Sequence, residues 1–424
     1  MRIGIVGAGG AGLTAAWLLS EEHQVTLFEK QDRLGGHAHT IEVEQAGERV
    51  AVDTGAEFFS QAMFPTFTRL LNLLAVPLHH YPMTATMYTV DNRYVALLPP
   101  LRNGQMIWPA LGPRQLTDLA QFALVLYRAG QLMRSPDPSI TLEQFLDHLP
   151  LTRAFKERFM YPFVLAGWCV EPDAFRQFSA YDVLKYYYLH GTSGLSPVVM
   201  TDVMGGTQNY VNALAQALAP GTVKRSAAVS GIRRQGETFL LQAEDGAQYE
   251  CDDLILATNA RQAAQLLSDV EGTEPARQAL GQIEYFQTTI AVHGDARLMP
   301  ANRQHWSVVN TRYDGRHSAN TIWKGWKSRQ PIFKSWVTYE ARLPEPLYGV
   351  ATFDHPCVTA SYFEAQKELV RRQGQNRVWL AGMYMHDVDC HESAIQSAAN
   401  VARRLAPNAA RLKQLLGADT EGPR

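Results

Sequence analysis

The chain has 424 residues, of which 46% are hydrophobic and 19% are charged, so it is long enough to bury the cores of two or three domains. Its 31 glycines and 22 prolines are ordinary for this length and argue against a collagen-like or disordered chain. With 39 basic and 41 acidic residues the formal charge is −2, which gives no electrostatic reason to expect nucleic acid as a partner.

The chain contains four cysteines that lie far apart and form no CxxC pair, namely Cys169, Cys251, Cys357 and Cys390. We therefore expect reduced thiols, with neither a disulfide framework nor a structural zinc site. The N-terminus has no long apolar stretch ending in a cleavage site, and no run of 18 apolar residues occurs. These features predict a cytoplasmic protein without a membrane-spanning helix, attached at most to a membrane surface.

The first thirty residues carry the clearest pattern. Residues 2–6 form a short apolar run that is typical of a buried strand in a parallel sheet. The run ends at Gly7-Ala8-Gly9-Gly10-Ala11-Gly12, a GxGxxG pattern with an added glycine. A helix is predicted over residues 11–21 and a second strand over residues 24–29. Glu29, at the end of that strand, follows the last glycine of the turn by 29 − 12 = 17 residues.

This order of strand, turn, helix, strand and acid predicts a dinucleotide site. Gly7 permits the tight turn, Gly9 lets the backbone approach a pyrophosphate, and Gly12 lets the helix pack closely on the strand. The helix N-terminus offers free N–H groups and a positive dipole to the phosphates. The acid accepts hydrogen bonds from the adenosine ribose hydroxyls. The predicted contacts of this unit are Gly7, Gly9, Gly10, Ala11, Gly12, Glu29 and Lys30.

A second glycine pair follows soon after the acid, within Arg33-Leu34-Gly35-Gly36-His37-Ala38-His39-Thr40. NAD needs no second close backbone approach, whereas the longer FAD molecule needs one near its ribityl chain and pyrophosphate. The motif resembles the one that follows the dinucleotide fold in flavin amine oxidases and phytoene desaturases. We therefore predict FAD as the cofactor, and a covalent link from a histidine to the flavin is the weaker alternative. The predicted contacts are Arg33, Gly35, Gly36, His37, His39 and Thr40.

The nucleotide-binding domain is predicted to be discontinuous. Residues 81–200 interrupt it with helical, aromatic-rich sequence, and residues 280–365 have the pattern of further substrate-domain strands. Sequence that resembles the nucleotide fold returns at residues 205–210, where a turn leads into a helix over residues 210–218 and strands over residues 223–232 and 238–244. An apolar strand over residues 253–258 follows, and the last return is a strand over residues 378–382 with a helix over residues 392–405. The predicted fold class is α/β, a Rossmann-like FAD-binding domain with an inserted α+β substrate domain. The predicted segments are 1–80, 201–280 and 375–410 for FAD, 81–200 and 281–374 for the substrate, and 411–424 as a C-terminal tail.

Further motifs give the chain a resemblance to the flavin-containing amine oxidase superfamily. They are Asp53-Thr54-Gly55, Gly205-Gly206-Thr207-Gln208-Asn209-Tyr210-Val211, Val292-His293-Gly294-Asp295, His355-Pro356, and Ala381-Gly382 followed by His391-Glu392. With the second glycine motif they span residues 1 to about 405. The chain most resembles a bacterial branch described only as NAD/FAD-binding proteins or amine oxidases, whose members often occur beside cyclopropane-fatty-acid synthases.

The resemblance implies further FAD contacts. Val229 would offer its backbone to adenine, Ala257 and Thr258 would cross near the cofactor, and the N-terminus of the last helix would face the flavin pyrimidine. There the helix dipole stabilises negative charge on the reduced ring. The residues implied on this ground are Gly55, Ala56, Val229, Ala257, Thr258, Gly382, Met383, Glu392, Ser393 and Ile395. The glutamate is equally consistent with an acid that merely suits the first turn of its own helix.

The segment His386-Asp387-Val388-Asp389-Cys390-His391-Glu392 contains six potential metal ligands. It lies between a strand and the last helix, where the superfamily brings the chain to the flavin. Flavin contact is therefore favoured over metal binding, and we predict no metal site.

Two departures from the amine oxidase pattern affect the expected chemistry. Cys390 and His391 occupy the neighbourhood of an aromatic wall that aligns the amine in true amine oxidases. The catalytic lysine of the superfamily would fall within residues 286–292, where no lysine occurs. The candidate catalytic residues are then His293, His391 and Lys324. For His293 the alternative is a hydrogen-bonded core histidine, and for Lys324 it is a solvated lysine between core tryptophans.

We therefore expect an FAD-dependent oxidoreductase that transfers a hydride to flavin N5 from an apolar substrate carbon, in a lipid or unsaturated acyl chain. Three alternatives stay open: a flavin amine or amino-acid oxidase, a redox-neutral isomerase, and a non-catalytic FAD-binding partner protein. One expected partner is a small apolar substrate. Because members of the branch often occur beside cyclopropane-fatty-acid synthases, the other expected partner is a lipid-modifying enzyme. A helix predicted over residues 116–133 either packs on the inserted domain or lies on a membrane and collects a lipid.

Overall fold

The structure is a computed structural model that describes residues 1–45, 47–102, 105–108, 111–189 and 198–417. The strands are β1 (Arg2–Val6), β2 (Gln24–Phe28), β3 (Thr40–Gln45), β4 (Glu48–Asp53), β5 (Leu78–Pro82), β6 (Ala85–Thr89), β7 (Val95–Leu98), β8 (Leu101–Arg102), β9 (Gln105–Met106), β10 (Val199–Val203), β11 (Val223–Lys224), β12 (Val229–Gln235), β13 (Thr238–Ala243), β14 (Gln248–Cys251), β15 (Asp253–Leu256), β16 (Tyr285–His293), β17 (Val309–Tyr313), β18 (Ser318–Trp323), β19 (Phe333–Trp336), β20 (Leu347–Pro356) and β21 (Val378–Leu380). The helices are α1 (Gly10–Leu19), α2 (Pro65–Leu73), α3 (Pro113–Arg134), α4 (Leu142–Asp147), α5 (Arg153–Phe155), α6 (Tyr161–Leu165), α7 (Pro172–Arg176), α8 (Ala180–Leu189), α9 (Gln208–Gln216), α10 (Ala260–Leu266), α11 (Glu274–Gly281), α12 (Ala360–Arg371), α13 (His391–Leu405) and α14 (Ala410–Leu416).

A five-stranded parallel sheet has the order β11-β2-β1-β15-β21. At its centre Ile5 pairs with Leu27 on one side and with Ile255 on the other. Its strands come from three separate stretches of the chain that lie within the segments predicted for the FAD-binding domain. The central strands are nearly continuous apolar runs, which is typical of a parallel sheet covered on both faces.

Helix α1 lies fully buried between this sheet and α13. All ten of its residues are buried, and α13 packs along it. Its apolar residues surround the helix axis instead of forming one stripe, which is the pattern of a helix buried on every side. The helix begins and ends within two residues of the sequence prediction.

A second sheet has seven strands in the order β20-β16-β19-β18-β17-β6-β7. Its neighbours are antiparallel except for β17 and β6, which run parallel. The hairpin β6-β7 differs from the prediction of helical sequence over residues 81–200, because residues 85–98 are short extended runs around a turn. Asn92 adopts φ +53° in that turn, a conformation that asparagine tolerates well.

Helices α3 to α8 form the helical part of the insertion around an aromatic core. The rings of Phe155, Phe159 and Phe163 stack in succession with centroids 5.5 and 5.6 Å apart. The first two of these side chains are fully buried. Many of the aromatic residues expected to line an apolar pocket therefore pack against one another and stabilise the insertion.

The end of the described chain is helical. Leu412 and Leu415 of α14 are buried, so the predicted C-terminal tail, residues 411–424, begins within a helix; residues after 417 lie outside the described residues. Among the residues that the structure describes, no helix combines the length and the apolar character that crossing a bilayer requires.

Glu392 ties α13 to α2. Its carboxylate accepts hydrogen bonds from the N–H groups of Thr66 at 2.9 Å and Phe67 at 2.8 Å, in the first turn of α2. Gln396 donates to the same carboxylate at 3.2 Å. A buried carboxylate is favourable there because it satisfies unpaired N–H groups and faces the positive end of the helix dipole. The side chain therefore caps a neighbouring helix, although Glu392 also lies in the first turn of its own helix, as the second sequence interpretation predicts.

Replacing Glu392 with Gln should destabilise the protein, because an amide carbonyl accepts these N–H groups less strongly than a carboxylate does. We expect the free energy of unfolding to fall by about 1–2 kcal/mol, measured by urea denaturation with and without FAD. Glu364→Gln is the matched control, because Glu364 is exposed on α12. A loss seen only in the FAD-loaded protein would instead assign the Glu392 carboxylate to the cofactor.

Candidate functional site

The first glycine turn joins β1 to α1, and its Gly7 and Gly12 have no room for side chains. Gly7 adopts φ +102°, and its N–H donates to the Phe28 carbonyl at 2.8 Å. A Cβ on Gly12 would lie 1.9 Å from the Gly7 carbonyl oxygen. The helix can therefore approach the strand only with glycine at that position.

Gly9 faces open space. A Cβ there would meet nothing closer than the Gly35 carbonyl oxygen at 4.0 Å. Gly9 is the N-cap of α1, and no described side chain caps that helix. The N–H groups of the first turn, which includes Gly10 and Ala11, are therefore left for a ligand, and a pyrophosphate fits this space in both charge and size.

Glu29 is fixed beside this turn at the end of β2. One carboxylate oxygen accepts the N–H of Ala8 and the other accepts the N–H of Gln31, both at 2.9 Å. Each oxygen retains a lone pair, so the carboxylate can still accept ribose hydroxyls as predicted. Lys30 is exposed to solvent.

The second glycine turn packs directly on the first. The Gly35 N–H donates to the Ala8 carbonyl at 2.8 Å, and Gly35 pairs with Gly9 in an isolated parallel bridge. A Cβ on Gly36 would lie 3.2 Å from the Gly9 Cα. Arg33 donates to the Gly36 carbonyl at 3.0 Å. The two motifs predicted to hold one cofactor therefore form a continuous backbone surface, which we call the cradle.

The chain after this turn meets the end of the β3-β4 hairpin. The His37 carbonyl accepts the N–H of Ala56 at 3.0 Å, and a Cβ on Gly55 would lie 1.9 Å from the same oxygen. The His37 ring stacks on Phe353 at 5.1 Å, and Nε2 bonds to the Asp354 carbonyl at 3.2 Å. Burial lowers the pKa of His37 to about 4, so the ring is neutral at pH 7 and Nε2–H is the donor.

His39 and Thr40 are engaged by other side chains. His39 Nδ1 bonds to Thr54 Oγ1 at 2.8 Å. The Thr40 hydroxyl donates to Asp53 Oδ1 at 2.6 Å, and the N–H and hydroxyl of Thr207 bond to the same oxygen at 2.8 Å. Burial raises the pKa of Asp53, and these donors offset part of that effect. The network ties the hairpin to the start of α9, so Thr40 positions the cradle through its side chain.

Three predicted contacts approach the cradle from other parts of the FAD-binding region. Ala257 follows β15, and its N–H donates to the Val6 carbonyl at the end of β1 at 2.8 Å. Thr258 is the next residue. Val229 begins β12, after a stretch in which the Ala227 N–H donates to the Glu29 carbonyl at 2.8 Å. The backbone around Val229 therefore lies close to the acid predicted to bind the ribose.

The residues predicted at the last helix have mixed surroundings. The Gly382 N–H donates to Ser397 Oγ at 2.9 Å, and half-buried Met383 follows in a single helical turn. The side chains of Ser393 and Ile395 are buried. The backbone of the first turn of α13 is therefore the part of this region that best suits a contact with the flavin.

His293 is a hydrogen-bonded core histidine. It is fully buried at the end of β16, where Nδ1 accepts the N–H of Asp295 at 3.0 Å and Nε2 bonds to Ser335 Oγ at 2.8 Å. Burial lowers its pKa to about 4. Because both ring nitrogens are used, the geometry favours the core alternative over a catalytic role.

His391 lies beside the start of α1. Its Nε2 bonds to the Tyr210 hydroxyl at 2.7 Å, and its Cε1 is 3.0 Å from the position of a Cβ on Gly10. Burial, and then the charge of His37, lower its pKa to about 4. A neutral histidine in this position suits contact with the cofactor better than proton transfer.

Lys324 belongs to a buried ion network, so the expectation of a solvated lysine is wrong. Its Nζ lies 2.7 Å from Glu57 Oε1 and 2.6 Å from Asp202 Oδ2. Lys334 Nζ lies 2.9 Å from Glu57 Oε2 and donates to the Gly55 carbonyl at 3.2 Å. Burial disfavours the ionised glutamate, but the two lysines outweigh it and lower the pKa of Glu57 to about 2. The network therefore clamps the segment that carries Gly55.

Sequence reasoning missed three members of this network, Glu57, Asp202 and Lys334. Lys334 lies on β19 and pairs with Val292 of β16. The family resemblance places the catalytic lysine within residues 286–292 of β16, whereas the lysine that reaches Gly55 here comes from the neighbouring strand. Glu57 directly follows the Asp53-Thr54-Gly55 motif and could have been found there. Asp202 carries no local signal, because its partner is 122 residues away.

A second polar cluster, the acid cluster, joins the insertion to the loop before α13. Asp182 of α8 accepts the Asp389 N–H at 3.0 Å, and His355 Nδ1 lies 3.9 Å from Asp389 Oδ2. Three buried atoms have no hydrogen-bond partner among the described residues, namely Asp182 Oδ2, Asp389 Oδ1 and the Tyr362 hydroxyl. Burial, and then Asp389, raise the pKa of Asp182 well above its usual value. Unpaired buried polar groups are costly, so this cluster is a candidate reaction site.

The acid cluster reaches the cradle through His355. Its ring meets His37 edge-on at 5.5 Å and stacks on Phe286 at 5.8 Å. In the sequence, His355 belongs to a motif without an assigned role, Asp389 belongs to the segment predicted to contact the flavin, and Asp182 carries no signal. Within the described ranges, no group of three histidine, cysteine or acidic side chains has an arrangement that could hold a metal ion.

Comparison with known proteins agrees with this architecture. The family model of flavin containing amine oxidoreductases matches residues 11–331, more than half of the chain. The chain therefore belongs to the flavin containing amine oxidoreductase family.

Solved structures share the fold at low sequence identity. A CLA-producing fatty acid isomerase from P. acnes has a TM-score of 0.69 and 16% identity, over 95% of this chain and 98% of that one. A cyclohexylamine oxidase from Brevibacterium oxydans has a TM-score of 0.69 and 16% identity, over 96% and 98%. A putrescine oxidase bound to putrescine has a TM-score of 0.67 and 13% identity, over 96% and 99%. At these identities the likeness shows the fold alone.

One curated relative matches over a short segment. An uncharacterized protein of Methanocaldococcus jannaschii is 54% identical over 44 residues, which are 10% of this chain and 11% of that protein. The family and the fold together confirm the predicted α/β class, with a Rossmann-like FAD-binding fold, and the predicted cofactor. The protein is an FAD-dependent oxidoreductase, and the contacts of individual residues with FAD stay predictions.

Replacing Gly9 with Val should yield a folded protein that loses most of its FAD. The new side chain would enter open space, so the fold is retained, but it would occupy the approach to the pyrophosphate. FAD content is measured from the visible spectrum after purification, and folding from the thermal unfolding midpoint. Gly281→Val, at another glycine with open space around it, should keep its FAD, whereas Gly12→Val should fail to fold. A Gly9 variant with full FAD content would contradict the assignment.

Replacing Asp182 with Asn should stabilise the protein as pH rises. Because the folded-state pKa of Asp182 is raised above the usual value of about 4, the unfolded chain ionises first, and the aspartate destabilises the fold increasingly above that pH. Asparagine keeps the acceptor for the Asp389 N–H without this effect. The gain in unfolding temperature should be near zero at pH 4 and larger at pH 8, while Asp269→Asn, at an exposed position, is the control. A gain independent of pH would rule out the raised pKa.

Proposed function

We propose that the protein removes a hydride and a proton from neighbouring carbons of an apolar substrate, a lipid or an unsaturated acyl chain. The observation that carries this proposal is the pair of His355 and Asp389, held against an aromatic ring beside the cradle. When bound, FAD supplies the hydride acceptor.

His355 accepts the proton in this proposal. Its Nδ1 faces Asp389 Oδ2 at 3.9 Å, and the Asp389 side chain is only 8% exposed. The carboxylate therefore stabilises the imidazolium that forms when Nε2 takes a proton. Asp182 accepts the Asp389 N–H and so orients the loop that carries this carboxylate. Separations of this length are common in free enzymes and shorten when substrate binds.

The need for a base favours a carbon chain over an amine. Forming a carbon–carbon double bond requires removal of a proton as well as a hydride, whereas an amine can lose its proton to water before it reacts. Cys390 and His391 also stand where the family resemblance places the aromatic wall for an amine. The fold shared with a fatty acid isomerase supports an acyl substrate. The resemblance to a branch whose members often occur beside cyclopropane-fatty-acid synthases is the ground for proposing a partner enzyme that modifies such chains.

Amine oxidation is the second candidate. The buried Asp389 carboxylate favours a cationic substrate, and a cyclohexylamine oxidase and a putrescine oxidase share the fold. An isomerase reaction would use the same groups if the hydride returned to the substrate.

Anaerobic mixing with defined probes tests the proposal. FAD-loaded protein is mixed with vesicles of dioleoylphosphatidylglycerol, or with cyclohexylamine and putrescine, and the visible absorbance of the oxidised flavin is followed. We expect bleaching by the lipid and none by the amines. His355→Gln should slow bleaching about 100-fold at unchanged FAD content. His148→Gln, at an exposed position, should behave as the unmodified protein.

Each other outcome identifies an alternative. Bleaching by amines alone would make the protein an amine oxidase. Altered lipid without net bleaching would identify an isomerase. A flavin that none of these probes reduces would contradict both the lipid and the amine as substrate classes. Unchanged bleaching in the His355→Gln variant would remove His355 from proton transfer.

A further inference from the structure

Helix α3 carries apolar residues on the side that faces solvent. Its inner side is buried through residues that include Phe122, Val125 and Leu132. The outer side nevertheless has four exposed apolar residues on successive turns, here called the outer stripe: Leu116, Ala120, Ala123 and Tyr127. Leu116 is 53% exposed and Tyr127 is 63% exposed. A surface helix normally has polar residues on this side, so the outer stripe indicates a binding surface.

A second exposed aromatic ring lies just before the helix. Trp108 is 72% exposed, and its carbonyl accepts the N–H of Leu111 at 3.0 Å, two residues before α3 begins at Pro113. Tryptophan and tyrosine combine an apolar ring with a polar edge and prefer the boundary between water and hydrocarbon. One such ring on α3 and another just before it favour a lipid surface as the partner.

The exposed charges of α3 are all positive. Arg114, Arg128 and Arg134 are exposed. The one acid of the helix, Asp118, is 2% exposed and pairs with Arg158 at 3.0 Å. The helix therefore presents three positive charges to solvent in a chain whose formal charge is −2. A partner of complementary charge is anionic.

We propose that the outer stripe docks on an anionic membrane surface, with its apolar side chains in the headgroup layer and its arginines at the lipid phosphates. Amphipathic helices with basic borders bind such surfaces, and arginine can lay its stem on apolar surface while its guanidinium reaches a phosphate. A second copy of the chain fits less well, because a symmetric contact through this face would bring like charges together.

The docking surface is connected to the acid cluster through α8. A Cβ on Gly130 of α3 would lie 2.8 Å from the ring of Tyr188, so α3 and α8 are in direct contact, and α8 also carries Asp182. Docking would hold the insertion against a source of lipid substrate. That last step rests on the proposed function, whereas membrane docking itself does not.

Sedimentation of the FAD-loaded protein with vesicles tests docking without turnover. Vesicles of phosphatidylglycerol and phosphatidylcholine in equal parts are compared with pure phosphatidylcholine. We expect binding to the anionic vesicles only, weakened by added salt. Leu116→Gln combined with Tyr127→Gln should reduce binding about tenfold. Arg128→Gln combined with Arg134→Gln should reduce it about fivefold for each arginine removed. Val370→Gln, at a 50% exposed position on α12, is the matched control and should bind normally.

Equal binding to both vesicles, or none, by folded protein would overturn the proposal, and so would an equal loss in the Val370→Gln control. If no vesicle binds and the double variant of Leu116 and Tyr127 dissociates a dimer in sedimentation velocity, the outer stripe is an interface between copies. Vesicle binding requires no reaction. A protein that binds vesicles but whose flavin is never reduced by lipid would therefore contradict the proposed function alone.

Discussion

The close approach of Gly12 to the Gly7 carbonyl sets the position of the rest of the cradle. Any side chain on Gly12 would overlap that oxygen, so α1 lies against β1 only because the residue is glycine. The approach leaves the helix N-terminus open at Gly9 and brings Ala8 within reach of the Glu29 carboxylate. The second glycine turn then bonds to the same short segment. The cradle is therefore made of backbone, which offers fixed N–H groups to phosphates with no side chain to order.

Buried charge has two different arrangements near the cradle. Around Glu57 each carboxylate oxygen has a lysine partner, so the charges are matched and hold a segment in place. In the acid cluster Asp182 accepts the Asp389 N–H, the Asp389 carboxylate faces His355, and three polar atoms have no partner within the described part of the chain. A matched network fixes a structure, whereas an unmatched one keeps the capacity to bind a substrate or exchange a proton. This difference separates the supporting network from the candidate reaction site.

Features that depend on sequence neighbours could be predicted, and features that depend on distant partners could not. The strand, turn and helix over residues 2–19 follow from the spacing of glycines and apolar residues. The cap that Glu392 supplies joins residues 326 positions apart, and the ion pair of Lys324 joins residues 122 positions apart. For His293 the sequence predicts the strand, but the use of its ring depends on Ser335, 42 positions away. Local sequence patterns do not predict contacts between residues that are so far apart in the chain.

The strand order of the parallel sheet governs when the molecule can be completed during synthesis. Strands β1 and β2 are present within the first 28 residues, yet β15, which pairs with β1, begins 253 − 28 = 225 residues after β2 ends, and β21 follows later still. On the ribosome the apolar edge of β1 must stay unpaired until residues 253–256 have emerged, and β15 then waits in turn for residues 378–380 of β21. A chain that stops before residue 378 therefore leaves β15 with an open apolar edge, which is a site for pairing with other chains.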